Sequence, residues 1–406
     1  MIYDAIIIGG GPAGLMAATI FNKNKLNFLL LEKNEKVGKK LLLSGGKKCN
    51  VTNNLSKAQF IEQINVKHKK ALYKALSEFG PEEIIEYFKT NGLVLELQED
   101  FKYFPSTKKS ASVVEVFTNQ IDKKAIKYLS NVKHIDKKGD LFEVALTSET
   151  FLTKNVLVAT GSNAYPTTGS SGDGLLFAKR LGLKTIEFTP AETYVYSSEV
   201  VSKYGLFQGV AFNTVLKIIG SKQSFKGGVL FTHFGLSGPA VLHASEVLYE
   251  HLNKTGQLSV SMILSDLTKE KITEVFDQAL IDNEQLYKTL DSVTTKRVSK
   301  YLTDTLGLEN KKFKEIAKKD INRLLEQLIN FQVTIDRVES KEKAFVNAGG
   351  LNIKELNPQT FETLTHKGLY FVGETIDLQG PIGGFNITIA LSTGRLAANH
   401  IVKALK

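Results

Sequence analysis

The first thirty-two residues constrain the fold of this chain more than any other stretch. Residues 2 to 8 form a short, isoleucine-rich apolar run, which is typical of a strand buried in a parallel sheet. The run ends in Gly9-Gly10-Gly11-Pro12-Ala13-Gly14, a G-x-G-x-x-G turn. A segment of helical composition follows over residues 15 to 24, then a second apolar run over 27 to 31, closed by Glu32. This order predicts a βαβ unit with a glycine-rich first turn.

Each part of this unit has a mechanical role in binding a dinucleotide. Gly9 permits the tight turn, Gly11 lets the backbone approach a pyrophosphate, and Gly14 lets helix and strand pack closely. The helix N-terminus offers N–H donors and a partial positive charge to phosphate. Glu32 ends the second strand, where it can accept hydrogen bonds from a ribose diol and disfavour a 2′-phosphate. The turn predicts a dinucleotide site but does not distinguish NAD from FAD.

Length and composition set the protein class. A chain of 406 residues is long enough for two or three domains, and 42% hydrophobic with 23% charged residues is ordinary for a globular protein. No transmembrane run and no signal peptide are visible, so we expect no membrane association and a cytoplasmic location. Cys49 is the single cysteine, which excludes an intrachain disulfide. The sequence contains no cluster of Cys and His residues that would indicate a metal site.

The net charge of +10 is concentrated after the nucleotide turn. Residues 33 to 74 contain eleven lysines but only two acidic residues, Glu35 and Glu62. Such a segment is either a solvated lysine-rich face or a region that attracts an anion. The anion would be a cofactor phosphate, an acidic substrate or nucleic acid.

A second buried strand and the end of the chain return to the first turn. Residues 155 to 161, NVLVATG, end in Ala159-Thr160-Gly161, which resembles the strand end that approaches FAD in two-domain flavoproteins of the glutathione-reductase type. A strand over 368 to 374 ends in Gly373-Glu374, and a glycine-rich loop then leads into a C-terminal helix. The N-terminus of that helix can place donors at the O2 and N1 side of a flavin.

The segment from 38 to 54, GKKLLLSGGKKCNVTNN, is expected to turn back towards the ring end of a long cofactor. Ser44, Gly45 and Gly46 would supply backbone donors there, with the Cys49 and Asn50 side chains close to the ring. Cys49 can also be read as a small buried hydrophobic residue. A lone thiol cannot form a dithiol relay.

The remaining pattern predicts helices over 57–91, a strand over 93–99, a loop over 100–112, a helix over 111–124 and a strand over 125–135. Residues 189 to 260 alternate in short segments, which predicts an antiparallel β-rich insert. Residues 265 to 330 have helical periodicity, with Asp266 as the expected N-cap. Their twelve basic and twelve acidic residues argue against a nucleic-acid-binding arm.

The expected fold class is therefore α/β, with a Rossmann-type dinucleotide-binding domain and a β-rich insert that carries a helical subdomain. We expect the dinucleotide-binding domain to comprise residues 1–188 and 341–406. The insert would comprise 189–264 and 331–340, and the helical subdomain 265–330.

Several motifs together resemble the aminoacetone-oxidase-like group of bacterial FAD flavoproteins, which also includes bile-acid dehydrogenating or reducing enzymes. The motifs are GGGPAGLMAA, LLLSGGKKCNVTN, FPSTKKSA, VLVATG with PTTGSSGDG, LFTHFGLSGPAVL and LYFVGETIDLQGPIGGFNITIALSTGRLA. They span nearly the whole chain. The group usually has Gly-Arg before the cysteine, whereas this chain has Lys47-Lys48, which keeps the charge but loses the planar fork of arginine.

The resemblance implies an FAD domain built from both chain ends, with the insert over the flavin. It implies that the pyrophosphate is held by Gly9, Gly11, Pro12, Ala13 and Gly14. It implies that the adenosine side is contacted by Glu32 and Lys33, and the adenine by the backbone of Val132. The rest of the site would be lined by Lys40, Ser44, Gly46, Asn50, Ala159, Thr160, Gly161, Gly373, Glu374, Asp377, Gly384, Phe385, Asn386 and Ile387.

No second G-x-G-x-x-G follows a strand, so the sequence indicates no separate NAD(P)H domain. The favoured hypothesis is that a small substrate, such as the aminoketone aminoacetone, transfers hydride to flavin N5, and that O2 or another acceptor reoxidises the flavin. His233 is the candidate acid/base, although a hydrogen-bonded turn histidine is the alternative interpretation. Glu374 would serve as a cofactor contact.

Three other hypotheses remain open. The first is a reductase of enones or ketones in which NAD(P)H visits the flavin transiently. The second is a flavin-dependent tRNA-modifying protein, motivated by the lysine-rich segment, although nucleic acid is the less favoured partner. The third is a non-enzymatic flavin-binding scaffold. The oligomeric state does not follow from the sequence.

Overall fold

The computed structural model describes residues 1–64, 66–98 and 101–406. The chain divides into two compact units. Unit 1 comprises Met1–Thr189 and Phe345–Lys406, and unit 2 comprises Pro190–Ala344. The expected strand over 93–99 and loop over 100–112 include Glu99 and Asp100, which lie outside the described residues, as does Asn65 within the expected helical stretch 57–91.

The strands are, in chain order, β1 (Ile2–Ile8), β2 (Phe28–Leu31), β3 (Thr52–Asn53), β4 (Leu95–Leu97), β5 (Lys102–Pro105), β6 (Ile126–Lys127), β7 (His134–Lys138), β8 (Leu141–Ala145), β9 (Thr150–Val158), β10 (Thr185–Glu192), β11 (Val195–Tyr196), β12 (Ala211–Ile218), β13 (Ser224–Phe231), β14 (Gly235–Ser237), β15 (Leu258–Met262), β16 (Phe331–Ile335), β17 (Arg337–Val338), β18 (Val346–Leu351) and β19 (Leu369–Phe371).

The α-helices are α1 (Pro12–Lys23), α2 (Lys57–Gln63), α3 (Tyr73–Glu78), α4 (Pro81–Thr90), α5 (Ser110–Thr118), α6 (Asp173–Arg180), α7 (Ser198–Lys203), α8 (Pro239–Thr255), α9 (Lys269–Asp282), α10 (Leu286–Val293), α11 (Lys296–Leu306), α12 (Lys318–Ile329) and α13 (Phe385–Leu405). Short 3-10 helices lie at Leu41–Lys47, Lys69–Leu72, Lys123–Ala125, Pro166–Thr168, Gly205–Phe207, Phe313–Glu315, Ile353–Glu355 and Gly373–Thr375. Within the described residues, no helix has the length and apolar character that a bilayer crossing requires.

A mixed sheet forms the centre of unit 1. Its strand order is β6-β2-β1-β9-β8-β7, and β19 also pairs with β9. The pairs β6-β2, β2-β1, β1-β9 and β9-β19 are parallel, whereas β9-β8-β7 is an antiparallel meander. The carboxyl ends of β1, β9 and β19 therefore meet at one edge of the sheet, where open α/β sheets bind ligands.

The two terminal helices of unit 1 pack against each other. A Cβ atom added at Gly394 of α13 would lie 2.4 Å from the carbonyl oxygen of Ala13 in α1, so the helix backbones are in close contact. Ala17 and Ala18 of α1 and Ala397 of α13 are fully buried in the same hydrophobic core. Small residues on both helices permit this approach. The ends of the chain thus form one body in unit 1.

Two expectations for unit 1 were wrong in detail. Lys102–Pro105 is a strand, whereas the sequence predicted a loop; it pairs with β3 and β4 in a small antiparallel sheet. The strand expected over 125–135 is interrupted after Lys127, because Leu129 is left-handed (φ 52°) and the Ser130 N–H donates to the Glu32 carbonyl (2.9 Å). Both differences arise from pairing with distant residues.

Unit 2 is built on an antiparallel sheet with the strand order β16-β15-β12-β13-β14-β11-β17. The alternation of buried and exposed residues along β12, in which Phe212, Leu216 and Ile218 face the core, explains why the pattern predicted a β-rich insert. Helix α8 begins at Pro239 after Gly238. Proline suits this first helical position because its missing N–H would have no intrahelical partner.

Helices α9 to α12 share one hydrophobic core with this sheet, to which Ile272, Phe276, Leu290, Leu302 and Leu324 contribute. The expected N-cap Asp266 was wrong. Thr268 caps α9 by accepting from the Lys271 N–H (3.3 Å), while Asp266 accepts from the Asn213 N–H (2.6 Å).

Candidate functional site

Of the three motif glycines in the turn, Gly9, Gly11 and Gly14, only Gly11 has open space where a Cβ atom would lie. A Cβ at Gly11 would meet nothing within 4 Å, whereas one at Gly14 would lie 2.0 Å from the Gly9 carbonyl oxygen. A Cβ at Gly9 would lie 2.5 Å from the Ala159 carbonyl oxygen. Gly9 and Gly14 are therefore required by the packing of the turn itself. The space at Gly11 lies at the N-cap of α1, where the first-turn N–H groups have no intrahelical partner.

Glu32 is buried, and its carboxylate is directed at the glycine turn. One oxygen accepts from the Gly10 N–H (2.8 Å), and the other accepts from the backbone and side-chain nitrogens of Asn34 (2.9 and 2.7 Å). The Ser130 N–H donates to the Glu32 carbonyl, and Val132 follows two residues later in the chain. The end of β2 and the segment around Val132 are thus brought together, as an adenosine subsite would require.

The residue after Glu32 is held by a loop that is distant in sequence. The Lys33 ammonium forms an ion pair with Asp173 (2.6 Å) and also donates to Ser171. The Asn34 amide donates to the Thr168 carbonyl (3.0 Å). The PTTGSSGDG loop therefore fixes the edge of the candidate site, and Asn34, Ser171 and Asp173 are contacts that sequence reasoning missed.

A second group of candidate residues meets where β9 and β19 end. The Lys40 ammonium lies 2.7 Å from a Glu374 carboxylate oxygen, to which the Ser162 hydroxyl also donates (3.3 Å). The Gly161 N–H donates to the Thr375 hydroxyl oxygen (3.1 Å). A Cβ at Gly373 would lie 3.2 Å from the Ala13 Cβ, which brings this group against the start of α1. Ser162 and Thr375 were not predicted.

The N-terminus of α13 is joined to the segment after Cys49. With its amide oriented to satisfy its neighbours, Asn50 accepts from the Gly384 N–H (3.0 Å) and donates to the Thr52 carbonyl (2.8 Å). Asn386 accepts from the Gly380 N–H (2.9 Å) and donates to the Gly380 carbonyl (2.7 Å). The Phe385 ring packs on Phe60 with centroids 4.5 Å apart. Ile387 follows in the first turn of α13.

Three further candidates have structural contacts of their own. Burial raises the pKa of Asp377, although a hydrogen bond from the Gly349 N–H (3.2 Å) and the charge of His68 oppose the shift. The Ser44 hydroxyl donates to the Leu41 carbonyl (2.7 Å) within its own 3-10 helix. Gly46 is exposed and left-handed (φ 63°), with nothing within 4 Å of an added Cβ.

Cys49 is fully buried, and burial raises the pKa of its thiol to about 12. Only the thiolate is nucleophilic, so this thiol is unreactive at neutral pH. The structure favours the interpretation of Cys49 as a packing residue.

The candidate acid/base lies in unit 2. His233 is exposed on the turn between β13 and β14, and its ring packs edge-on against Phe234 (centroids 4.9 Å apart). Phe234 in turn contacts Tyr194 (4.6 Å) and Tyr196 (5.5 Å). Successive side chains of an extended segment point to opposite sides, so Tyr194, directly before β11, and Tyr196 within it lie on the same side, a signal that sequence reasoning left unused.

Both tyrosines donate to one buried carboxylate oxygen. The hydroxyls of Tyr194 and Tyr196 lie 2.7 and 2.8 Å from the same oxygen of Glu339, and the Ser340 N–H binds the other oxygen (2.7 Å). Burial opposes ionisation of Glu339, but these three hydrogen bonds and Lys343 outweigh it and lower the pKa of the carboxyl. Burial and the hydrogen bond to Glu339 raise the pKa of Tyr194.

A second buried carboxylate of unit 2, that of Glu192, contacts a histidine. His243 Nδ1 lies 3.0 and 3.1 Å from the two carboxylate oxygens of Glu192, which is buried at the end of β10. Such a pair fixes the ring orientation of a histidine. Neither residue was singled out from the sequence.

The residues of unit 1 fit a dinucleotide. The open space at Gly11 lies against the α1 N-terminus, Glu32 lies at the end of β2, and the N-terminus of α13 lies beside Asn50. A polyanionic pyrophosphate suits the first feature, a ribose the second and an electron-accepting ring the third.

The family comparison agrees with this geometry. The model of the HI0933-like protein Rossmann domain matches residues 3–400. The chain belongs to this family. Family membership supports an FAD-dependent oxidoreductase, as the sequence predicted.

Two relatives align with this chain over nearly their whole length. A ribosomal RNA dihydrouridine synthase of Escherichia coli (strain K12) is 27% identical over 405 residues, covering 99% of this chain and 98% of the relative. A 3-dehydro-bile acid delta(4,6)-reductase of Clostridium scindens is 26% identical over 411 residues, covering 96% and 97%.

Solved structures share the fold at much lower identity. A 3-ketosteroid-delta4-(5alpha)-dehydrogenase from Rhodococcus jostii RHA1 superposes with a TM-score of 0.50 at 12% identity, covering 98% of this chain and 96% of that chain. The likeness supports a Rossmann-type domain accompanied by a sheet-rich insert.

Proposed function

We propose that this chain is an FAD-dependent reductase of a carbon–carbon double bond conjugated to a carbonyl group. The observation that carries the proposal is the end-to-end alignment with two reductases of different substrates. A dihydrouridine synthase saturates the uracil double bond that is conjugated with a ring carbonyl. A delta(4,6)-reductase saturates steroid double bonds that are conjugated with a ketone. The chemistry that the two relatives share is addition of hydride to a carbon made electrophilic by a conjugated carbonyl.

FAD, when bound, would supply the hydride-transferring group for this reaction. We propose that unit 1 is the FAD-binding domain. In it the α1 N-terminus at Gly11 would bind the pyrophosphate, and Glu32 and the backbone of Val132 the adenosine. Lys40, Glu374 and the first-turn N–H groups of α13 would surround the ring end. The partial positive charge of a helix N-terminus stabilises negative charge that develops beside it.

The second carbon of the double bond must receive a proton. We propose His233 as the donor, because its ring is exposed and an imidazole nitrogen can pass a proton to the substrate and regain one from solvent. The adjacent Tyr194 hydroxyl is a weaker candidate, because its proton is donated to Glu339 (2.7 Å). His233→Asn should lower the rate of product formation while leaving the FAD content unchanged.

We propose a uracil ring in RNA as the substrate. Support comes from the name of the E. coli relative and from the excess of lysine between Lys33 and Lys74, an excess that also motivated the RNA-modifying hypothesis from the sequence. NAD(P)H would then reduce the FAD. It would bind only transiently, because the sequence contains no second dinucleotide-binding turn that could hold it.

Oxidation of an aminoketone such as aminoacetone, with O2 as acceptor, is the second candidate. It is favoured by the motif resemblance that runs from GGGPAGLMAA to LYFVGETIDLQG. The two candidates differ in direction: aminoacetone should bleach oxidised flavin, whereas an enone or a uracil ring should restore the colour of reduced flavin.

An anaerobic titration separates them. The holoprotein is reduced with one equivalent of dithionite and mixed in turn with a uridine-containing RNA, a 3-keto-4,6-diene steroid and a saturated steroid ketone as the control. Recovery of the oxidised flavin spectrum with a conjugated substrate, and not with the saturated control, is expected. Bleaching of oxidised flavin by aminoacetone, with no recovery by any conjugated substrate, would favour the oxidase.

A further inference from the structure

Four lysines of unit 1 form an exposed group that we call the lysine rim: Lys47, Lys48, Lys108 and Lys109. They occur as two adjacent pairs, one at the end of the 3-10 helix Leu41–Lys47 and one directly before α5. All four are exposed, so their charges face solvent in the isolated chain.

The two pairs flank a single junction of unit 1. The Ser110 hydroxyl at the start of α5 donates to the Leu42 carbonyl (2.8 Å). A Cβ at Gly45 would lie 3.2 Å from the Phe104 ring. Strands β3 and β5, which continue from the same two segments, pair with each other. The segments that carry the two lysine pairs therefore run side by side.

The rim lysines differ from five other lysines of unit 1 in having no ion pair with any described residue. Ion pairs hold the ammonium groups of Lys33, Lys39, Lys40, Lys57 and Lys74. Within residues 1–64, 66–98 and 101–406, no carboxylate lies within 4.0 Å of a rim ammonium group. The positive charge of the rim is thus available to an anion from outside.

The backbone holds two of these lysines in an unfavourable conformation. Lys47 (φ 70°) and Lys108 (φ 54°) are left-handed, a region that side chains with a Cβ rarely adopt. Such residues persist only where the surrounding structure fixes them, and they cluster at functional sites. The rim is therefore a fixed feature of the junction.

The rim also lies beside the N-terminus of α13. Segment 49–53 follows Lys48 directly, and in it the Asn53 amide donates to the Gly383 carbonyl (3.1 Å), while Asn50 accepts from the Gly384 N–H (3.0 Å). This is the end of unit 1 at which the flavin ring is proposed to lie. An anionic polymer that presents a base to the ring would pass over the rim.

We infer that the lysine rim binds the phosphate backbone of a single-stranded RNA segment and so delivers a uridine to the flavin end of unit 1. The inference rests on the proposed function, since it names the surface that recognises its RNA substrate. Phosphate contacts by lysine position a strand without reading its sequence. They also make its affinity depend on salt.

The test measures binding of a fluorescein-labelled, uridine-containing single-stranded RNA to the holoprotein by anisotropy at several salt concentrations. The rim variant is Lys47→Gln/Lys108→Gln/Lys109→Gln. Lys48 is kept, because the segment that reaches α13 begins immediately after it. The matched control is Lys123→Gln/Lys124→Gln/Lys138→Gln, which removes three exposed lysines elsewhere in unit 1.

The rim variant should bind at least about 10-fold more weakly at low salt, and its slope of log affinity against log salt should fall by about 2, since each lost single-strand phosphate contact removes about 0.7. The control should stay within about 2-fold of the unchanged chain. Equal affinities and slopes for rim variant and control would overturn the inference.

Two further readouts separate this inference from the proposed function. The FAD content and the reduction of a small conjugated enone should be the same in the rim variant as in the unchanged chain. If the unchanged chain reduces no conjugated substrate but binds RNA through the rim, the proposed function fails and the rim stands. If it reduces the enone but binds RNA independently of the rim, the rim inference fails alone.

Discussion

Gly11 and Gly14 lie three residues apart in one turn, but an added methyl group would meet different surroundings at each. At Gly11 the space is open and φ is −79°, which alanine adopts readily. At Gly14 the methyl carbon would lie 2.0 Å from a carbonyl oxygen. This contrast separates what the turn needs to fold from what it needs to bind a pyrophosphate.

Gly11→Ala should therefore keep the stability of the apoprotein within about 0.5 kcal/mol and lose FAD, because the methyl group occupies the pyrophosphate space. Gly14→Ala should cost about 1–3 kcal/mol through overpacking. Thermal unfolding of the apoprotein and the FAD-to-protein ratio measure the two effects. Full FAD content in Gly11→Ala would contradict the assignment of the space at Gly11 to the pyrophosphate.

The burial of Cys49 predicts how fast its thiol is alkylated at alkaline pH. Burial raises the pKa of its thiol from an ordinary 9.0 to about 12, so the native thiol should be alkylated by iodoacetamide at pH 9 at least about 100-fold more slowly than the unfolded thiol. A raised pKa stabilises the fold below pH 9, and this stability is lost between pH 9 and 12. Mass spectrometry follows the labelling. Equal rates in native and guanidinium-unfolded protein would refute the burial argument.

At the scale of elements, the junction between segment 49–53 and α13 depends on Gly384. It is left-handed (φ 86°), and an added Cβ would lie 2.5 Å from the carbonyl carbon of Thr52. Gly182 is also left-handed (φ 75°), but an added Cβ there would meet nothing within 4 Å. The two glycines share a left-handed backbone but differ in what surrounds them.

Gly182→Ala should cost about 1–2 kcal/mol for the backbone conformation alone and retain FAD. Gly384→Ala should cost more and also weaken FAD binding, because segment 49–53 must separate from α13. Denaturant unfolding and FAD titration measure both. Equal losses of stability and unchanged FAD affinity in the two variants would show that the junction does not shape the site.

In unit 2, the hydrogen bonds to Glu339 should be visible in tyrosine ionisation. The lowered pKa of Glu339 stabilises the fold above the ordinary carboxyl pKa of 4.5, and this stability is lost as the pH falls through the lowered value. Glu339→Gln should remove this pH dependence, destabilise the fold by about 1–2 kcal/mol and lower the pKa of Tyr194. Ultraviolet titration measures the tyrosine. An unchanged tyrosine titration would contradict the role given to Glu339.

The elements that sequence reasoning predicted best are those marked by local signals. The apolar run and glycine turn predicted β1 and α1, and small residues predicted the end of β9. Strand β5 was missed because Tyr103-Phe104-Pro105-Ser106 has turn-like composition, and its pairing with β3 and β4 is a tertiary contact. Local propensity does not carry such information.

The candidate site divides in the same way. Glu32 and the motif glycines follow from a short motif, whereas the Lys40–Glu374 ion pair joins residues 334 positions apart. The contact of Lys33 with Asp173 spans 140 positions. Single-sequence patterns have no period at that separation, so the motifs predicted which residues border the site but not which of them touch.

At the scale of the whole molecule, the two candidate functions differ in the direction in which electrons pass between FAD and the substrate. The relatives are reductases of conjugated double bonds, whereas the motif resemblance also admits an amine oxidase. Both would bind FAD in unit 1, so cofactor content alone does not separate them. The substrate that changes the flavin spectrum does.

The most direct measurement is the anaerobic mixing of reduced holoprotein with a uridine-containing RNA, followed by the visible flavin spectrum and by mass analysis of the recovered RNA. We predict reoxidation of the flavin with a gain of two hydrogen atoms per uridine reduced. Flavin that stays reduced with RNA and with conjugated enones, while aminoacetone bleaches the oxidised protein, would contradict the account.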